Sequence, residues 1–194
     1  MKNKQETIII LDRSGSMTSI KDDMEGQLKV LLKAQREESP NSTVSVYTFD
    51  DKFDILFENK DIKSVDTVTI QPRNMTALYD AIGKAMALSS NRKAKRKLVI
   101  IVTDGQENAS TEYKSTDIQK IISDCKEKNY EFIFLGANQD VWKTSKTLGI
   151  DYDKSIRFNP NSKSLLSMNS TLDAKLRSYY SGKEFSAFTV SERG

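Results

Sequence analysis

Three continuous apolar runs dominate the hydrophobic pattern of this chain. They cover residues 7–11, 98–103 and 130–135, and none of them alternates with polar residues. Such runs predict strands that are buried on both faces, as in a parallel sheet covered by helices. Residues 43–49 instead alternate with period two, and a second strand-like segment follows at 53–58. This pair predicts a hairpin at one edge of the sheet.

Segments with apolar residues at helical spacing separate the strands. They predict helices over residues 20–38, from about Ala77, from about Thr116, over residues 141–148 and over residues 165–180, with a short edge strand at 155–158. Strands that alternate with helices predict an α/β, doubly wound fold. We expect a mostly parallel central sheet of about six strands, with one antiparallel edge strand and helices on both faces.

The length of the chain suits a single domain. It has 194 residues, enough to bury a core without covalent cross-links, and it contains no repeat or long linker. We therefore expect one domain over residues 1–194, with a core over about 5–180. Residues 183–194 show no strong period and are expected to form a loosely held tail.

Composition excludes several kinds of chemistry. The chain has no histidine, which removes His-based triads, His metal ligands and imidazole switches. The single cysteine, Cys125, excludes an intrachain disulfide and a cysteine-cluster zinc site. No apolar stretch is long enough for a signal sequence or a membrane span, so we expect a cytoplasmic protein without a membrane partner.

The charge balance is only mildly basic. The formal net charge is +3, and the densest basic run, residues 92–97, directly precedes a predicted strand. We interpret this run as a solvated loop at the amino-terminal edge of the sheet. Nucleic acid is therefore not an expected partner.

The end of the first apolar run carries the most distinctive chemistry. Asp12 follows the run, and Ser14 and Ser16 come at alternate positions around Gly15. In open α/β sheets, ligands bind at the carboxyl ends of the strands. Three short oxygen-bearing side chains at such a place suit a small hard cation such as Mg²⁺.

Two other segments can supply oxygen ligands to the same place. Asp104 ends the second buried strand, and Thr76 lies in a loop just before a predicted helix. If the strands of Asp12 and Asp104 are neighbours, the two carboxylates repel unless they share a cation or a proton. The alternative is that the serines cap the first helix and the aspartates accept hydrogen bonds from loop amides.

Residues 12–16, Asp-Arg-Ser-Gly-Ser, resemble the D-x-S-x-S signature of von Willebrand factor A domains. Thr76 resembles the threonine of that family's second loop, and Asp104 its strand-end aspartate. The resemblance covers most of the chain and points to the intracellular type found in bacteria and their phages. It implies a metal-ion-dependent adhesion site formed by the following residues: Asp12, Ser14, Ser16, Thr76 and Asp104.

The resemblance also implies how such a site works. The hydroxyls of Ser14, Ser16 and Thr76 would bind Mg²⁺, or sometimes Mn²⁺, while Asp12 and Asp104 would hold it directly or through waters. One coordination position would stay open for a water or for an Asp or Glu of a partner protein. Relatives often act beside AAA+ ATPases or in other assemblies, so such a subunit is one expected partner.

Two functions from different classes follow from this pattern. The first is a metal-dependent protein-binding module without enzymatic activity. The alternative is a Mg²⁺-dependent phosphohydrolase of the haloacid-dehalogenase type, which also has an aspartate at the end of its first strand. That class needs a second carboxylate two residues later as its general acid, and Ser14 stands there instead. We therefore prefer the binding module.

Three further polar residues lie close to the motif positions in sequence. Asp80 follows Thr76 by one helical turn, and it can either order the threonine loop or remain a solvated helix acid. Glu107 and Asn108 follow Asp104, either as the rim of the site or as ordinary turn residues.

Overall fold

The protein is built on one six-stranded sheet. A computed structural model describes residues 5–137, 141–158 and 162–193. The strands are β1 (Gln5–Asp12), β2 (Thr43–Phe49), β3 (Phe53–Asp61), β4 (Arg96–Thr103), β5 (Tyr130–Ala137) and β6 (Ser155–Phe158). Their order across the sheet is β3-β2-β1-β4-β5-β6, and only the β2–β3 pair is antiparallel. The predicted fold class is therefore confirmed, including the hairpin at one edge.

Helices cover the two faces of this sheet. They are α1 (Lys21–Glu38), α2 (Leu78–Ser89), α3 (Ser115–Lys126), α4 (Val141–Leu148) and α5 (Ser162–Tyr180). Short 3₁₀ turns lie at Gly15–Ile20, Ile62–Ser64 and Tyr152–Lys154. No helix in the described parts of the chain is long and apolar enough to cross a membrane.

The central strand β1 faces two separate cores. Ile9 and Leu11 belong to the core on the α1 and α5 side, whereas Ile8 and Ile10 belong to the core on the α2, α3 and α4 side. All four side chains are fully buried. Because neighbouring side chains of a strand point to opposite faces, a strand covered on both sides must be apolar at every position.

The basic run at residues 92–97 is less solvated than predicted. Residues 92–95 do connect α2 to β4, but Arg92 binds Glu6 and Glu58. Lys97 is buried, and its Nζ donates to the backbone oxygen of Ser89 at 2.7 Å. These cations satisfy buried acceptors such as Glu6 and Ser89 at the predicted amino-terminal edge of the sheet, a role that a sequence run of like charges does not reveal.

The carboxyl-terminal segment is packed against the domain, so the prediction of a loosely held tail is wrong. Phe185 and Phe188 are buried in the α1–α5 core. The Phe188 backbone N–H donates to the Asp153 oxygen at 2.7 Å, and the Arg157 N–H donates to the Arg193 oxygen at 3.0 Å. The segment forms no regular element, so its two aromatic anchors produce no periodic pattern.

Strand register places the predicted site at the carboxyl edge of the sheet. β1 and β4 are parallel neighbours, and Leu11 pairs with Val102. The next residues along the two strands, Asp12 and Thr103, therefore lie side by side, and Asp104 follows directly. The strands of Asp12 and Asp104 are thus parallel neighbours, as a cation shared by the two carboxylates requires.

Candidate metal centre

Three loops meet above the carboxyl ends of β1 and β4. We call them the first loop (residues 12–20), the threonine loop (residues 71–77) and the third loop (residues 104–114). Backbone hydrogen bonds hold the first two together: the Gly15 N–H donates to the Asn74 oxygen at 3.1 Å, and the Arg73 N–H donates to the Arg13 oxygen at 2.8 Å.

The threonine loop is bonded to the third loop as well. The Thr76 backbone oxygen accepts from the N–H groups of Asn108, at 3.0 Å, and Ala109, at 3.2 Å. In return, the Thr76 N–H donates to Oδ1 of Asn108 at 2.9 Å. Asn108 therefore fixes the position of Thr76 and is more than a turn residue.

Asp12 lies beneath these loops and is fully buried. Its Oδ1 accepts from the Ser14 backbone N–H at 2.6 Å, and its Oδ2 accepts from Oγ1 of Thr103 at 2.6 Å. Burial raises the pKa of this carboxyl to about 6, although both hydrogen bonds act to lower it and the nearby Asp104 adds a small increase. Without a cation, the site therefore disfavours the ionised form of Asp12.

The two serines connect the first loop to the second carboxylate. Oγ of Ser14 and Oγ of Ser16 are 3.1 Å apart, and Oγ of Ser16 donates to Oδ1 of Asp104 at 2.6 Å. Burial raises the pKa of Asp104, against a lowering by the Ser16 hydrogen bond. Oδ2 of Asp104 is buried and makes no hydrogen bond within the described residues. A buried carboxylate oxygen without a partner is costly, and a cation would satisfy it.

Gly105 marks the place where the hydroxyls converge. A Cβ built on Gly105 would lie 2.7 Å from Oγ1 of Thr76 and 3.5 Å from Oγ of Ser14. The missing side chain of Gly105 thus leaves open the space beside these two oxygens. Thr76 and Ser14 come from different loops, so tertiary structure alone brings them together.

Two acidic residues order the backbone around this cradle. The carboxylate of Asp80 accepts from the backbone N–H groups of three successive third-loop residues, each at 2.9 Å: Thr111, Glu112 and Tyr113. The carboxylate of Glu107 accepts from the N–H groups of Tyr79, Ala109 and Ser110 at 2.8–3.0 Å. Asp80 is therefore not a solvated helix acid, but it orders the third loop and not the threonine loop that its spacing suggested, and it joins the start of α2 to the third loop. Glu107 joins the same two segments.

The structure thus brings the five predicted residues together: Asp12, Ser14, Ser16, Thr76 and Asp104. Sequence reasoning missed Thr103, although its position beside Asp12 follows from the strand register. It also left Gly105 without a role. The sequence offers no signal for that role, because the short distance involves a loop that is remote in sequence.

The donor set suits a hard divalent cation. It offers two carboxylates and three hydroxyls, all of them oxygen ligands of the kind that Mg²⁺ and Mn²⁺ prefer. Among the described residues, no three Asp, Glu or Cys side chains form a group that could hold a metal by themselves. A cation at this place would therefore depend on the hydroxyls as ligands. Few negative charges around it would neutralise its positive charge.

Comparison with known structures supports the architecture. The proximal thread matrix protein 1 of the mussel byssus, in a structure with a zinc-occupied MIDAS motif, is 17% identical with a TM-score of 0.70, over 92% of this chain and 46% of that one. The ArnB paralog VWA2 from Sulfolobus acidocaldarius is 20% identical with a TM-score of 0.60, over 91% and 45%. This chain thus spans about half the length of both proteins.

A third neighbour has nearly the same extent as this chain. The vWF domain of the type V pili tip protein Mfa5 from Porphyromonas gingivalis is 10% identical with a TM-score of 0.63, over 91% of this chain and 97% of that one. At such identities the three likenesses show the fold alone. A search of curated protein sequences found no match. The family model described as the von Willebrand factor type A domain, however, matches residues 7–171, and the chain therefore belongs to this family.

Proposed function

We propose that this protein is a divalent-metal-dependent protein-binding module. In this proposal, Asp12, Ser14, Ser16, Thr76 and Asp104 hold one cation, and the cation bridges to an Asp or Glu of a partner protein. The observation that carries the proposal is the buried, unpartnered Oδ2 of Asp104 next to a cradle of hydroxyls from separate loops. Membership of the von Willebrand factor type A family supports it.

The proposed cation is Mg²⁺, with Mn²⁺ as the close substitute. Both ions favour oxygen ligands, whereas zinc sites in proteins are formed mainly by cysteine and histidine. The zinc-occupied motif in the mussel protein supports a divalent ion at this kind of site. Which divalent ion this chain prefers follows from the chemistry of its own ligands. Hydroxyl ligands are neutral and offset little of the ion's positive charge, which keeps the ion attractive to an external carboxylate.

Binding without catalysis is the function that the chemistry favours. Ser14 stands where a haloacid-dehalogenase-type phosphohydrolase needs its general acid, and neither the fold comparisons nor the family match supports that alternative. The described residues around the site offer no carboxylate placed two residues after Asp12. We therefore propose a non-enzymatic role, with an AAA+ ATPase or another assembly subunit in the cytoplasm as the partner.

An array of short peptides tests this function directly. We expect the wild-type protein to bind a subset of Glu- or Asp-containing peptides in excess Mg²⁺, and to release them in EDTA. Peptides with Gln or Asn at the same position should bind far more weakly, because a neutral amide lacks the negative charge with which a carboxylate attracts the ion.

The variant Asp104→Ala should lose this binding, and Asp66→Ala, which changes an exposed acid outside the three loops, should keep it. Peptide binding that persists in EDTA, or that is equal for Glu and Gln peptides, would contradict the proposal.

A further inference from the structure

Asp50 is a fully buried acid in the turn between β2 and β3, beside the metal centre but outside the ligand set. Its Oδ2 accepts hydrogen bonds from Nε of Arg13, at 3.1 Å, and from Nε of Arg73. Its Oδ1 accepts from the Lys52 backbone N–H at 2.7 Å. One carboxylate thus connects the first loop, the threonine loop and the β2–β3 turn.

The backbone around Asp50 makes matching connections. The Asp50 carbonyl oxygen accepts from the N–H of Ala77 at 2.7 Å, and Ala77 directly follows the proposed ligand Thr76. The preceding carbonyl oxygen, of Phe49, accepts from the N–H of Arg13 at 2.7 Å, and Arg13 directly follows Asp12. Phe49 at the end of β2 and Asp50 in the turn therefore bond to the chain next to proposed ligands on both loops.

Charge explains why an acid stands at this position. Arg13 is largely buried and binds Asp50 together with the exposed Asp54, and the half-exposed Arg73 binds the same two acids. Burial alone would raise the pKa of Asp50, but the hydrogen bond from Arg73 and the other donors outweigh burial and lower it. Asp50 is therefore ionised at neutral pH, and among the described residues it is the one buried carboxylate that binds Arg13 and Arg73.

We infer that Asp50 is a positioning residue for the metal site, holding the first loop and the threonine loop at the separation at which Ser14 and Thr76 share one cation. The inference rests on the proposed function of the site. It assigns a role to Arg13, whose place in the domain the motif does not explain. Residues that orient ligands from outside the coordination sphere typically change metal affinity about 10–100-fold when they are replaced.

Isothermal titration with Mg²⁺, on proteins shown by circular dichroism to be folded, tests this inference. The variant Asp50→Asn keeps the shape of the side chain but loses its charge, and we expect its Kd to rise about 10-fold or more. Asp54→Asn is the matched control, because it removes an exposed acid bound to the same two arginines. Its Kd should stay within about 2-fold of wild type.

A merely structural role predicts a different result, namely a lower unfolding temperature of Asp50→Asn in EDTA with an unchanged Kd of the folded protein. That result would overturn the inference. Arg73→Gln, at a half-exposed position, provides a second variant if Asp50→Asn does not fold, and an unchanged Kd there would also overturn it. If wild-type protein itself bound no Mg²⁺, the proposed function would fail. If wild-type protein bound Mg²⁺ and Asp50→Asn bound it with the same affinity, only the inference about Asp50 would fail.

Discussion

Replacing Gly105 with alanine is expected to weaken metal binding strongly while leaving the fold intact. The added Cβ would lie 2.7 Å from Oγ1 of Thr76, a distance that real Cβ atoms do not tolerate. Thr76 must then rotate its hydroxyl away or move with its loop, and either change removes one proposed ligand from the cradle. Titration calorimetry with Mg²⁺ should show a loss of affinity of about 100-fold or more.

Gly26→Ala is the matched control for this substitution. Gly26 lies within α1, and a Cβ built there meets no atom within 4 Å. Because alanine is the better helix former, this variant should be more stable by about 0.5–1 kcal/mol, with unchanged Mg²⁺ affinity. Wild-type affinity in Gly105→Ala would show that the space beside Thr76 and Ser14 does not hold the ion.

In the absence of metal, Asp12→Asn is expected to make the protein more stable at neutral pH. The pKa of Asp12 is raised from its ordinary value of 3.8 to about 6, so keeping it ionised in the folded state costs about 3 kcal/mol. An asparagine fits the same hydrogen bonds: its oxygen can accept from the Ser14 N–H, and its amide can donate to Oγ1 of Thr103. The Thr103 hydroxyl can then donate to the Gly105 oxygen, 3.2 Å away.

The pH dependence separates this effect from other causes. The folded state binds the Asp12 proton more tightly than the unfolded state, so this group stabilises the protein fully below about pH 4 and loses that contribution as the pH rises through about 6. In urea unfolding with EDTA, Asp12→Asn should therefore gain about 2 kcal/mol over wild type near pH 7.5 and little near pH 4. Excess Mg²⁺ should reverse the order by stabilising only wild type. A variant that is less stable than wild type in EDTA at both pH values would contradict this explanation.

The fold was predictable from the sequence because its strongest signals, the continuous apolar runs and the period-two alternation, directly reflect which faces of each strand are buried. The apolar runs of β1, β4 and β5 exceed what a half-exposed strand would carry, so burial on both faces and a parallel sheet follow. The hairpin of β2 and β3 is equally visible, because period-two alternation is followed at once by a turn and a second strand. The tail that contains Phe185 and Phe188 was missed because irregular segments bury single anchors without periodicity.

The candidate site was predictable where its residues lie at strand ends and unpredictable where loops meet. Asp12 and Asp104 follow buried runs, so parallel pairing alone places them at one edge of the sheet. Asp50 carries no such signal, because it looks like ordinary turn material in the sequence. Its burial beneath Arg13 and Arg73 arises from the packing of the first loop, the threonine loop and the β2–β3 turn, which come from separate parts of the chain.

The position of Mn²⁺ in crystals, located by its anomalous scattering, tests most directly whether the three loops form a metal site. We predict one strong anomalous peak in contact with the hydroxyls of Ser14, Ser16 and Thr76, next to Oδ2 of Asp104. The same soak of Asp104→Ala crystals should show no peak there. A strong peak elsewhere on the domain together with none among these residues, or an equal peak in Asp104→Ala, would contradict the central claim that these five side chains hold a divalent cation.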